Sequence, residues 1–304
     1  MSAARPFRRR SLPLGGAARR ASGATSTFGP NPWQQQSWDW RAACNFMAGG
    51  AGSGLIVFAT LAGPSPGLLV AGAVLVALGL LAVWFEIGRP WRALNVIRHA
   101  RSSWMSRESL LAPLLLGAAL AAAFGVPLAG ALAMLSGLAF AYCQGRILQA
   151  AKGIPAWREP LLVPLIVATG LAEGGAVALL WTATSAPAPV SMGLGFALAL
   201  LARGVLWHAW RRRVNAAARA LAAIDAAGKV FKLATWLPLL VVLAALAAPL
   251  GADSLRLLSA IAGALALAGG LWFKFTLITR AGFNQGFALT HLPVRGVARR
   301  KEMP

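Results

Sequence analysis

Cysteine and histidine are scarce in this chain, and their shortage removes most redox chemistry from it. There are 2 cysteines in 304 residues, Cys44 and Cys143. An iron–sulfur cluster takes about four closely spaced cysteines, so no cluster is expected. Two isolated thiols build no disulfide framework and read as small core residues. The 3 histidines, His99, His208 and His291, all fall at or beyond the ends of apolar runs. A b-type haem between membrane helices takes axial ligands from within the bilayer, so no haem is expected either. P-loop, HExxH and GxSxG patterns are missing, which leaves ATPase and hydrolase readings without residues. Acidic residues number only 8, against 29 Lys plus Arg, for a formal net charge of +21. In a soluble domain that excess would suggest nucleic acid. Here the basic residues lie between apolar runs and read as topology signals, so no nucleic-acid partner is expected.

What the chain has is apolar length. It is 58% hydrophobic and 12% charged, with a mean hydropathy of +0.65, far from soluble composition. The expected fold is all-α, a polytopic membrane protein with eight transmembrane helices near 43–63, 67–87, 109–124, 126–143, 161–183, 189–209, 232–250 and 255–277. The third and fourth are short against the ~20 residues a bilayer takes, and the FGVP turn at Phe124 to Pro127 makes them a tight hairpin. Residues 1–32 read as a disordered basic tail, 33–279 as the membrane domain and 280–304 as a C-terminal tail. All but one of the lysines and arginines, Arg256, fall in segments that share a face with both ends of the chain. The positive-inside rule then makes both termini cytoplasmic, in the cytoplasmic (inner) membrane of a bacterium.

Polar residues inside or beside the spans are the candidates for function. The stretch WFEIGRPWRALNVIRHARSSWMSRE, Trp84 to Glu108, crowds arginine, tryptophan and two glutamates into a shelf at the membrane surface. Arg pairs with phosphate or carboxylate and Trp suits the headgroup layer, so anchoring accounts for many of them. Glu86 and Glu108 are different, because a carboxylate at that depth needs a partner or a task. Asn45 opens the first span ahead of Gly49, Gly50, Gly52 and Gly54, a face that admits another helix or a flat ring. Glu173, near mid-membrane among glycines, is expected to be a proton-path group or a hydrogen-bonded neutral acid. Lys274 near the end of the last span is expected to snorkel outward. The run RRRVNAAARALAAIDAAGKVFK reads as a surface-lying or docking helix.

The segments WDWRAACNFMAGGAGSG, FEIGRPWRALNVIRHARSSWMSRE and FNQGFALTHLPVRG together resemble the membrane anchor subunits of molybdopterin oxidoreductases, the dimethyl sulfoxide reductase anchor family. The final segment is most similar to the anchor subunit of phenylacetyl-CoA:acceptor oxidoreductase. The resemblance implies a haem-free subunit that binds quinone (menaquinone or ubiquinone) and exchanges electrons with an iron–sulfur subunit, which relays them to or from a molybdopterin catalytic subunit. Many anchors carry histidine in an HLGRP motif where this chain has Glu86, and a carboxylate can also accept a quinol proton. On this reading the quinone site gathers Glu86 and Glu108 as proton-exchanging carboxylates, Arg89 and Arg107 on a ring oxygen, Asn45 on the other, and Trp104 against the ring. Arg89 and Arg107 alternatively neutralise the two glutamates. Arg211, Arg212 and Arg213 are expected to dock an acidic partner surface on the cytoplasmic face. The alternative function is a secondary transporter, which the glycine-interrupted helices and Glu173 would suit.

Overall fold

The computed structural model describes residues 28–29, 31–61, 65–86, 99–184 and 188–286. Eight helices there are long and apolar enough to cross a membrane: α1 Trp40–Leu61, α2 Pro66–Glu86, α3 Trp104–Ala123, α4 Ala129–Ala150, α5 Leu162–Thr182, α6 Val190–Arg213, α7 Ala218–Ala247 and α8 Ala252–Thr279. No β-strand occurs among the described residues. The protein is a multi-pass, all-α membrane protein, as its hydropathy requires: with no water in the bilayer core, backbone groups must find their partners within the protein, and a helix supplies nearly all of them inside its own segment. Leucine side chains such as Leu78, Leu198, Leu233 and Leu257 point outward and are exposed, as lipid-facing positions should be.

Three span limits differ from the sequence reading by five residues or more. Helix α3 starts at Trp104, so WMSRE belongs to the helix, with Ser103 as its N-cap accepting from Ser106 N. Helix α4 continues to Ala150, which brings Gln144 inside the span. Helix α7 starts at Ala218 and runs 30 residues, to Ala247. From Ala218 on, the basic segment after Arg213 is therefore part of a membrane-length helix and not a separate surface helix. The α3–α4 hairpin turns at 124–128, where Gly125 takes a φ of 77° that favours glycine.

The order of the bundle is set by small residues. Gly50 and Gly54 on α1 face Gly170 and Gly174 on α5. A Cβ at Gly54 or Gly174 would run into the opposite backbone, and one at Gly170 would meet Gly50 O at 3.0 Å. Two G-x-x-x-G pairs thus let the helices cross nearly backbone to backbone, the mode that dispersion and close packing favour in lipid. On another face of α1, a Cβ at Gly52 would meet Gly72 O of α2 at 2.6 Å. The glycine face of α1 is consumed by helix packing.

Two interruptions of backbone bonding are repaired by buried side chains. Pro238 inside α7 offers no N–H to Ala234 O four residues back. Arg203 of α6, fully buried, donates through Nη2 to that Ala234 oxygen, through Nε to Thr235 Oγ1 at 3.0 Å and through Nη1 to Ala266 O of α8 at 3.0 Å. The second interruption is a π-helical turn in α1, Asn45–Gly49. Its Asn45 oxygen accepts from Gln144 Nε2 of α4 at 3.0 Å and its Phe46 oxygen from Lys274 Nζ of α8 at 2.9 Å. By sequence Arg203 and Lys274 count with the basic face; both are instead fully buried in the bundle. Lys274 does not snorkel.

The two ends of the described chain meet at one face. Trp33 O accepts from Asn284 N at 3.0 Å, Gly29 N donates to Gln285 O at 2.9 Å and Gln35 N donates to Gly282 O at 2.8 Å, around an isolated antiparallel bridge between Gln34 and Phe283. The end of the segment read from sequence as a tail is thus paired with the segment that leaves α8; 1–27 lie outside the described residues. Beneath this face Trp157, Trp207, Trp210, Phe231 and Phe273 form an aromatic core, and Trp157 Nε1 donates to Leu277 O at 3.1 Å.

Candidate functional site

At the face where the chain ends meet, the start of α1, the end of α2, the start of α3 and the last turns of α4 enclose a cavity of about 190 Å³. Its wall includes Ser37, Trp38, Asn45 and Phe46 from the lead-in and α1, Glu86 from α2, Met105 and Glu108 from α3, and Ile147 from α4. The polypeptide reaches this geometry through a cap. Asp39 N-caps α1, accepting from Arg41 N at 2.8 Å, and pairs with the Arg41 guanidinium at 2.7 Å. That side-chain bond to Arg41 holds the Asp39 carboxyl below the usual carboxylate range. Arg41 Nη1 also donates to Phe85 O at 2.8 Å, which ties the start of α1 to the end of α2 and brings Glu86 beside the cavity.

Two carboxylates and one amide converge here. Glu108 is buried, and its Oε1 accepts from Asn45 Nδ2 at 3.3 Å. Among the described residues no Lys or Arg forms an ion pair with either Glu86 or Glu108. Asn45 Oδ1 and Gln144 Oε1 are buried without a hydrogen-bond partner. A buried acceptor without a donor costs on the order of 1–3 kcal/mol, so such atoms call for an explanation. The aromatic side of the cavity is equally ordered: Trp38 stacks on Phe46 at 6.0 Å and 25°, and packs on Trp157 at 5.0 Å. The wall is mainly apolar and carries one amide, Asn45, and two carboxylic acids, Glu86 and Glu108.

The sequence-predicted residues divide between this cavity and its surroundings. Asn45, Glu86 and Glu108 come together in its wall. Trp104 and Arg107 do not line it. Trp104 instead carries Arg107 at 4.1 Å and Arg146 at 4.6 Å over its ring and meets Tyr142 edge-on at 5.7 Å. Arg107 spends Nε on Ala100 O and Nη2 on Arg101 O, each at 2.9 Å, which pins the loop before α3 and leaves Glu108 to Asn45. Arg89 lies outside the described residues. Glu173 is fully buried away from the cavity, its Oε2 paired with Lys274 Nζ at 2.6 Å and its Oε1 without a partner.

Of the docking arginines, Arg211 is bound to Asp225 of α7 through two bonds of 2.6 and 2.7 Å, whereas Arg212 and Arg213 are exposed. Sequence reasoning misses Gln144, because it ends the fourth span at 143, seven residues before the helix ends at Ala150; a lone amide inside a membrane helix is itself a signal. It also misses Trp38 and Phe46 as stacked wall residues of this cavity, which spacing cannot reveal.

No family model matches the sequence. A stretch of 139 residues is 32% identical to a subunit of the sulfite dehydrogenase of Allochromatium vinosum. The match covers 38% of this chain and 42% of that protein, so the chain spans less than half the length of the curated relative it resembles.

Proposed function

We propose that this chain is the quinone-reactive membrane subunit of a multisubunit oxidoreductase, carrying electrons between the membrane quinone pool and an iron–sulfur subunit docked on its basic face. The observation that carries the reading is the cavity at that face, in which Asn45, Glu86 and Glu108 share the wall with Trp38 and Phe46, stacked one on the other. About 190 Å³ is below the roughly 300–1,000 Å³ of pockets that enclose a whole drug-sized ligand. It suits one substituted ring whose tail stays in lipid. The unpartnered Asn45 Oδ1 in the cavity wall fits a ligand that brings a hydroxyl donor.

A quinol bound there supplies two electrons and two protons, and a quinone takes up the same. The protein's part is to hold the ring and move the protons. Asn45 presents its amide to a ring oxygen, Trp38 and Phe46 fix the ring plane, and Glu108 and Glu86 each exchange one proton with the ring oxygens. The electrons pass to or from the iron–sulfur partner. The relative's name supports an oxidoreductase assembly, and the resemblance of the shelf motif supports a molybdopterin catalytic subunit beyond the iron–sulfur one. On the similarity of the FNQGF…LPVRG segment we propose a cytoplasmic acyl-CoA thioester, phenylacetyl-CoA, as that catalytic subunit's substrate, in a bacterial inner membrane. Purification through a tag on this chain tests the assembly. Copurification of an iron–sulfur protein and recovery of quinone in the lipid extract support it. A chain that purifies alone and without quinone from gently solubilised membranes contradicts it.

A further inference from the structure

The Lys274–Glu173 pair lies inside the bundle with both side chains fully buried, and the quinone pocket does not touch it. What the pair does touch is the π-turn that builds the pocket wall. Lys274 Nζ donates to Glu173 Oε2 at 2.6 Å and to Phe46 O at 2.9 Å. A π-turn widens the helix and turns carbonyls away from their usual donors, so it persists where something else bonds them. Here the donors come from two other helices, Lys274 on α8 and Gln144 on α4. The glycines behind the turn leave room for them. A Cβ at Gly49 would meet Gln144 Nε2 at 2.6 Å, and a Cβ at Gly50 would occupy the place of Lys274 Nζ.

The turn carries Asn45, which bonds Glu108, and Phe46, which stacks on Trp38. One residue more or less in a helical turn rotates all that precedes it by about 100°. Reverting the π-turn to α-helix would swing Asn45 off Glu108 and Phe46 off Trp38 together. We infer that Lys274, oriented by Glu173, is a positioning residue for the quinone pocket: by bonding Phe46 O it holds the π-turn that aims Asn45 and Phe46 at the ring. This rests on the quinone reading above. It gives Glu173 the task of a counter-ion in place of the proton-path role expected from sequence, and its Oε2 is already committed to the lysine.

The test uses membranes containing the assembled complex, with quinol turnover and soluble-dye turnover measured side by side. Removing only one partner would strand a buried charge, so the principal variant is the double substitution Glu173→Leu/Lys274→Met, with Gly50→Ala as a second variant that fills the seat of the ammonium. Both should assemble and keep dye activity. Both should raise the quinol KM by about tenfold or more with little change in kcat, and the pH profile of kcat should keep its wild-type shape. A wild-type quinol KM in both variants overturns the inference while leaving the quinone pocket standing. A lost kcat with a displaced pH limb overturns it in favour of Glu173 as a proton carrier. Failure of both variants to assemble overturns it in favour of a purely structural pair. Absence of quinol turnover in the wild-type complex instead removes the quinone reading, and the inference with it.

Discussion

At the scale of single residues, the two carboxylates of the cavity stand in different surroundings and should behave differently. Glu108 is buried and held by Asn45, whereas Glu86 is more exposed at the end of α2. Proton exchange with the bound ring falls to both on the proposed function, with Glu108 the better oriented. Glu108→Gln keeps the shape and the bond to Asn45 while removing the titratable group. It should lower quinone-linked turnover by about 10²-fold or more, the usual weight of a positioned acid or base, with dye activity and assembly unchanged. Glu86→Gln should lower it less, because water can replace a group at the rim. Steady-state assays of both variants in membranes check the order, and wild-type quinone turnover in both removes the carboxylates from the mechanism. Trp104 shows why side-chain identity alone misleads: an indole at interface depth looks available to a ring, but two guanidinium groups already cover it.

At the scale of elements, the eight spans were legible because long apolar runs between basic segments rarely arise except as membrane helices. Their polar ends were not. Ser103, Ser106 and Arg107 lower hydropathy without preventing a helix, since Ser103 caps it and Arg107 bonds the loop carbonyls before it. Asn45, Glu86 and Glu108 could be singled out as costly polar groups near the interface. Gln144 is missed only because its span is ended too early. The π-turn could not be singled out, because periodicity fixes a residue's depth and leaves open which neighbour it faces. Lys274 misleads for the same reason: it lies near the end of α8 but points into the bundle. The Arg203–Pro238 arrangement supplies a test of how these helices are held. If Arg203 serves the carbonyl that Pro238 deprives of a donor, Arg203→Met should destabilise the bundle by about 1–3 kcal/mol. In the Pro238→Ala background, where a backbone N–H returns to Ala234 O, the same change should cost distinctly less. Thermal melts of the four proteins in detergent form the cycle, and equal costs in both backgrounds would show that Arg203 acts otherwise.

At the scale of the whole molecule, the cavity opens at the face where both described ends meet, and that face carries exposed Arg212 and Arg213. We propose, on the positive-inside rule, that it is the cytoplasmic face. A reporter active only in the cytoplasm should work when fused after Gly286 and fail when inserted at Gly251, between α7 and α8; the reverse pattern would overturn the orientation and the proposal of a cytoplasmic substrate. Docking should depend on Arg212 and Arg213 more than on Arg211, which Asp225 already neutralises. Reversing the first two charges should release the iron–sulfur partner of the proposed function at lower salt than in the wild type.

The central claim, that a quinone ring sits among Asn45, Glu86 and Glu108, is tested most directly by light-activated crosslinking of an azidoquinone to the assembled complex, with peptide mapping of the adduct. The label is expected on Ser37 to Phe46 of the lead-in and α1 or on Met105 to Glu108 of α3, and excess native quinone should displace it. Displaceable labelling confined to other helices, or none at all in a complex that turns over quinol, would contradict the claim.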